Sequence, residues 1–162
     1  MKKSLSVIVT LVMLFIFSSS YTNKVSDGKI GFTAPNFALS NTDTTMSLQR
    51  MKGKYVLLSF WSSADAGSRI SNIEYNNFAK NNSKNLHLVA VNYDRSEAIY
   101  REIMSRDKLD AKAQFYDHEG SSSQLFENYH LDQGLKSYLI NPEGEIIAQN
   151  PSAQQLTQLI CQ

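Results

Sequence analysis

Tyr55 to Phe60 sets Tyr, Val, Leu, Leu and Phe in a run broken only by Ser59, with almost no alternation of apolar and polar positions. A strand that alternates can leave one face in water. An unbroken apolar strand must be covered on both faces, which places it in the middle of an α/β sheet. Directly behind it, Trp61 to Arg69 (WSSADAGSR) passes through small polar residues into the start of a helical pattern. Ligands of such sheets sit at the carboxyl ends of the strands, where a helix N-terminus offers free N–H groups and positive dipole character. Trp61 to Ser68 is therefore where a site is expected, and the stretch holds no Cys, no His and no glycine-rich phosphate cradle.

The rest of the chain supplies the layers around that strand. Asn36 to Leu39 alternates like a short strand, and Thr44 to Leu48 is expected to return against it as a hairpin. A helix is expected from about Asp65 to Lys80, with Ile70, Ile73 and Phe78 inward and Asn72, Asn76, Asn77 and Lys80 turned away. Leu86 to Tyr93 predicts a second buried strand, after which Ser96 suits the N-cap of a helix over 97–106. Then follow a short strand at 114–116, a short helix over 121–129 and a strand over 136–141. Pro142-Glu143-Gly144-Glu145 has type I turn chemistry and leads into an antiparallel strand at 146–148, with a closing helix over 152–160. This order predicts an α/β/α sandwich with a central mixed β-sheet and an N-terminal β extension.

The two ends of the chain speak to its address. Met1-Lys2-Lys3, an apolar run of about 13 residues from Leu5 to Phe17, and Ser18-Ser19-Ser20 together read as a secretory signal peptide. An uncleaved anchor is the competing reading, although a spanning helix needs roughly 20 apolar residues. The expected division is a signal peptide over 1–20, a polar tether over 21–30 and one domain over 31–162, exported to the periplasm or cell envelope without stable membrane insertion after cleavage. Without Lys2 and Lys3, the 16 basic residues become 14 against 15 acidic ones, so charge gives no support for a nucleic-acid partner. The single cysteine, Cys161, cannot form an internal disulfide, so the fold must rest on its core.

Three motifs in order carry a resemblance: Gly31-x-x-Ala34-Pro35-x-Phe37-x-Leu39, Lys52-Gly53-Lys54-x-Val56-Leu57-Leu58-x-Phe60-Trp61, and Tyr138-Leu139-Ile140-Asn141-Pro142-Glu143-Gly144-x-Ile146. Over about residues 31–160 the chain resembles the thioredoxin-like superfamily, nearest the exported thiol-disulfide oxidoreductases of the cytochrome-maturation type, with peroxiredoxins as cousins. The resemblance implies a Cys-x-x-Cys at the start of the helix after Phe60-Trp61, and the matching positions here are Asp65 and Ser68. It also implies a cis-proline facing that pair, where this chain has Leu135. A cis bond before Leu would cost about 2.5–4 kcal/mol, so a trans bond is expected. Thiol-disulfide exchange needs a thiolate, which neither a carboxylate nor an unactivated hydroxyl replaces.

Each candidate residue carries a plain reading beside a functional one. Asp65 is expected to cap the helix, the alternative being a carboxylate that binds a cation or a partner's Lys or Arg. Ser63 and Ser68 read as helix-start hydroxyls, and no His lies nearby in sequence to activate them. Trp61 is either a partly buried aromatic at the strand end or an exposed contact for a partner. Asp94-Arg95 reads as a strand-end turn on the same edge, with a lesser prospect of touching a ligand. His87, His118 and His130 share no metal-ligand spacing, and no cofactor or metal site is expected. The leading expectation is a non-catalytic binding or accessory protein of the cell envelope that has lost the redox pair. Its rival is retained thiol-disulfide or peroxiredoxin-like activity through Cys161 or a partner protein.

Overall fold

The computed structural model describes residues 26–42 and 44–160. The expected signal peptide, the first half of the tether and Cys161 lie outside the described residues. β1 (Ala38–Ser40) and β2 (Thr45–Ser47) form the expected antiparallel hairpin. The main sheet has β3 (Tyr55–Trp61), β4 (Leu86–Asn92), β5 (Gln114–Tyr116), β6 (Ser137–Ile140) and β7 (Ile146–Gln149), in the order β5-β4-β3-β6-β7. It is mixed because β3 runs parallel to β4 and antiparallel to β6.

β3 occupies the centre of the sheet, as its composition requires. Val56, Leu58 and Phe60 join the core on one face, while Leu57 and Trp61 join the core on the other. All five are at most 1% exposed. Burying a large apolar side chain stabilises by roughly 1.5–3 kcal/mol, so this one strand contributes to both cores at once. Helices α1 (Ala66–Asn81), α2 (Glu97–Arg106) and α4 (Ala153–Ile160) cover the Leu57/Trp61 face through Tyr75, Tyr100, Ile103, Leu156 and Ile160. The other face is closed by Phe37, Leu48, Met51, Tyr129 and Leu131, with half-buried Leu125 and Phe126 of α3 (Gln124–Asn128). α3 is shorter than the helix expected over 121–129, because Gly120–Ser122 winds as a separate 3-10 turn.

Two expectations need correction. In α1, Ile73 and Phe78 pack on the core and Asn77 and Lys80 are exposed as expected, but Asn72 is 0% and Asn76 2% exposed, whereas Ile70 is 58% exposed. Polar groups beneath the helix select those two asparagines. Asn72 and the buried Gln114 exchange amide hydrogen bonds at 3.3 and 3.4 Å, and Asn76 Oδ1 accepts from the Asp110 backbone N–H at 2.8 Å. An apolar face there would have left those groups unpaired. The second correction concerns residues 26–30, which are docked rather than a tether. Asp27 N–H donates to Thr33 O at 3.1 Å, and the Asp27 carboxylate meets His130 Nε2 at 2.9 Å. No helix among the described residues is long and apolar enough to cross a membrane.

Candidate functional site

Two parallel strands end level with each other, and that fact builds the site. Trp61 pairs with Asn92 in register, and Tyr93 N–H donates to Trp61 O at 2.9 Å, so Ser62-Ser63 and Tyr93-Asp94 leave the sheet side by side. Asp94 is 7% exposed. Its Oδ1 accepts from Ser62 Oγ at 2.7 Å, from Ser63 N–H at 2.7 Å and from Ser63 Oγ at 2.9 Å. Its Oδ2 accepts from Asn92 Nδ2 at 3.0 Å, and Asn92 Oδ1 in turn accepts the Asp94 N–H at 2.9 Å. The carboxylate thus fastens the β3 exit to the β4 exit.

The start of α1 is a second polar unit. Asp65 is the N-cap, with extended backbone (φ −105°, ψ 101°), and its Oδ1 accepts the Ser68 N–H at 2.8 Å. Ser68 Oγ donates to Asp65 O at 3.2 Å and accepts from Ser62 N–H at 3.3 Å, which links the cap to the Asp94 cluster. Capping of this kind stabilises by about 1 kcal/mol. One residue on, Arg69 grips Asp107 with two bonds, Nε to Oδ2 at 2.7 Å and Nη2 to Oδ1 at 2.6 Å, tying the first turn of α1 to the end of α2. The guanidinium holds the Asp107 carboxyl below its ordinary range, against the opposing effect of burial.

Of the residues singled out in the sequence, Asp65, Ser68 and Leu135 come to one end of the sheet. The antiparallel register of β3 and β6 continues past Ser59/Ser137 through Phe60 N–H donating to Lys136 O at 3.0 Å, which brings half-buried Leu135 beside the end of β3. Its peptide bond is trans, as are all those described. Trp61 is not the exposed partner contact but the strand-end aromatic of the other reading, buried fully rather than partly: it is 0% exposed, donates from Nε1 to Gln114 Oε1 at 3.0 Å and packs on Tyr100 with ring centres 6.2 Å apart. Ser63 is corrected from a helix cap to a ligand of Asp94. The Ser63 hydroxyl is thus bonded to Asp94, while Asp65 Oδ1 is bonded to the Ser68 N–H.

The chemistry available here is narrow. Both hydroxyls beside Asp94 donate to the same oxygen, and no His among the described residues bonds to either, so neither is an activated nucleophile of the serine–base kind. His130 pairs with Asp27, and His118 stands edge-on to Tyr116 at 4.8 Å between ring centres. His87 lies near the opposite end of the sheet, its imidazole pushed down by burial and then by Lys54. Burial pushes the Tyr100 phenol up to about 12 and Tyr93 further, which leaves both neutral at physiological pH. Among the described residues no group of three or more His, Cys, Asp or Glu side chains could hold a metal ion. Asp94 is the residue that sequence reading undervalued. The signal was present in the two predicted strands: if they pair in parallel and in register, the residues after Trp61 must meet those after Asn92.

Known proteins give this geometry a context. A thioredoxin-like protein from Parabacteroides distasonis ATCC 8503 is 30% identical, superposes with a TM-score of 0.74, and is matched over 85% of this chain and 98% of its own. A thiol-disulfide oxidoreductase from Bacteroides fragilis NCTC 9343 is 26% identical (TM-score 0.66, 78% of this chain and 96% of its own). A thiol:disulfide interchange protein DsbE from Chlorobium tepidum shares the fold at 24% identity (TM-score 0.64, 81% and 93%). No curated protein sequence matches the chain. Residues 30–149 match the AhpC/TSA family. The chain belongs to the AhpC/TSA family, within the thioredoxin-like superfamily.

Proposed function

We propose that this is an exported thioredoxin-like protein that binds a partner in the cell envelope and performs no thiol chemistry of its own. The observation that carries the reading is Asp65. At the helix N-terminus that ends the central strand, where the resemblance places an attacking sulfur, stands a carboxylate already bonded to the Ser68 N–H. The 162 residues hold one cysteine, Cys161, so no Cys-x-x-Cys is present in the sequence. A carboxylate keeps the negative charge that a helix N-terminus favours and cannot attack a disulfide. Around it Ala64, Ala66 and Gly67 are exposed and Ile70 is 58% exposed, a small partly apolar rim suited to contact with a protein segment. Export rests on the basic, apolar and small-residue order of Met1 to Ser20.

Insulin reduction and refolding of scrambled disulfides test the reading. The expected result is no turnover above buffer in either assay. Turnover that disappears in Cys161→Ser would overturn the reading in favour of a one-thiol enzyme.

A further inference from the structure

At the opposite end of β3 from Asp65 lies a cup of about 160 Å³. Val56 and Trp61 are five residues apart on β3, which puts the cup about 17 Å from the strand end already described. Ala34, Leu48, Met51 and Val56 line it, all between 1% and 8% exposed, and Lys52 and Lys54 are among its lining residues. Three chain segments make its walls, and backbone hydrogen bonds stitch them together. Ala34 N–H donates to Gly144 O at 2.9 Å, Gly53 N–H to Pro142 O at 3.1 Å and Leu48 N–H to Phe37 O at 3.2 Å. Gly53 (φ +88°) and Gly144 (φ +90°) hold the left-handed conformations that these turns require. The backbone of the cup's walls is therefore held in place before any ligand arrives.

Its chemistry is asymmetric. The lining residues include two lysines against one carboxylate, Glu143, and no ion pair within 4.0 Å joins them among the described residues. The rest of the lining joins apolar Ala34, Leu48, Met51, Val56 and Pro142 to Thr33 and the amides of Asn36, Gln49 and Asn141. An apolar hollow of about 150 Å³ is large enough to take a benzene ring. From this combination we infer that the cup between Met51, Val56 and Pro142 binds a small organic carboxylate with a compact aromatic or branched body, its apolar part against Met51 and Val56 and its carboxylate between Lys52 and Lys54. The proposal is independent of any partner at Asp65, and a result in the disulfide assays leaves it untouched.

Methyl-detected NMR on the full chain tests it, with sodium benzoate as probe and benzyl alcohol as its neutral counterpart. Benzoate is expected to shift the Met51, Val56 and Leu48 methyls saturably at millimolar concentration, with affinity falling as sodium chloride is raised. Benzyl alcohol is expected to bind about tenfold more weakly, and Lys52→Ala/Lys54→Ala to lose about the same factor for benzoate alone. Both lysines are exposed, so the double variant keeps its fold, which its melting temperature checks. Non-saturating shifts, shifts away from these methyls, or equal binding of benzoate and benzyl alcohol would each overturn the proposal.

Discussion

Asp94 and Asp65 are both aspartates at the end of a strand, yet their surroundings make them unequal. Replacing Asp94 with Ala removes the acceptor of two hydroxyls, one backbone N–H and one amide in a place that is 7% exposed. Each buried donor left unpaired costs about 1–3 kcal/mol, and some of them will find water at the rim. Asp94→Ala is therefore expected to lower the unfolding free energy by about 2–4 kcal/mol, read from urea denaturation at constant m-value. Asp65 is exposed and holds one N–H, so Asp65→Ala is expected to cost only about 1 kcal/mol in the same measurement. The contrast explains what sequence reading could reach at the site. The Asp65 cap was legible because capping depends on residues within one turn. The role of Asp94 was not, because Ser62 and Ser63 are 32 and 31 residues away and meet it only through the register of two strands.

At the scale of elements, α1 is held by polar contacts that its own periodicity hides. The helix was legible in position, in its cap and in the inward Ile73 and Phe78, while Ile70 and Asn72 exchange the places that hydrophobicity assigns them. What decides is the partner surface. Gln114, 1% exposed, needs an amide opposite it because its Oε1 already accepts from Trp61 Nε1, and Asn72 supplies that amide. Gln114→Leu should strand both the indole N–H and the Asn72 amide, at about 2–4 kcal/mol. Adding Asn72→Leu should recover part of that loss, giving a coupling of at least about 1 kcal/mol in a double-mutant cycle measured by denaturation. The Arg69–Asp107 clasp adds a pH dependence to the same helix. Because the folded-state Asp107 carboxyl lies below its ordinary value of 3.8, its stabilisation is fully present above that value and is lost as pH falls through the folded-state value. The melting temperature of the native chain should exceed that of Asp107→Asn by a constant margin near neutrality, and the margin should shrink below about pH 4.

For the molecule as a whole, the proposed loss of thiol chemistry is a statement about two side chains on an intact frame, and the frame can be asked directly. A buried central strand still delivers its chain to a helix N-terminus, which lowers the pKa of a thiol placed there. Asp65 is the N-cap and Ser68 stands one turn further on, and side chains three apart at a helix start lie about 5–6 Å from each other at Cβ, within reach of a bridge after a small rotation. Asp65→Cys/Ser68→Cys is therefore expected to form a disulfide in air, seen as the loss of two titratable thiols, and to reduce insulin with dithiothreitol at a rate above that of the native chain. The Asp65 cap is lost in this variant, so its melting temperature should fall by the few degrees that about 1 kcal/mol removes. Leu135 limits the gain, because it occupies the position where the resemblance expects proline beside the sulfur pair, and Leu135→Pro added to the double variant should raise the rate again. If the double variant oxidises and remains as slow as the native chain, the junction is not a redox frame awaiting sulfur. The basis of the proposed binding role would then have to be sought in the surface around Ile70 rather than in the two substituted positions.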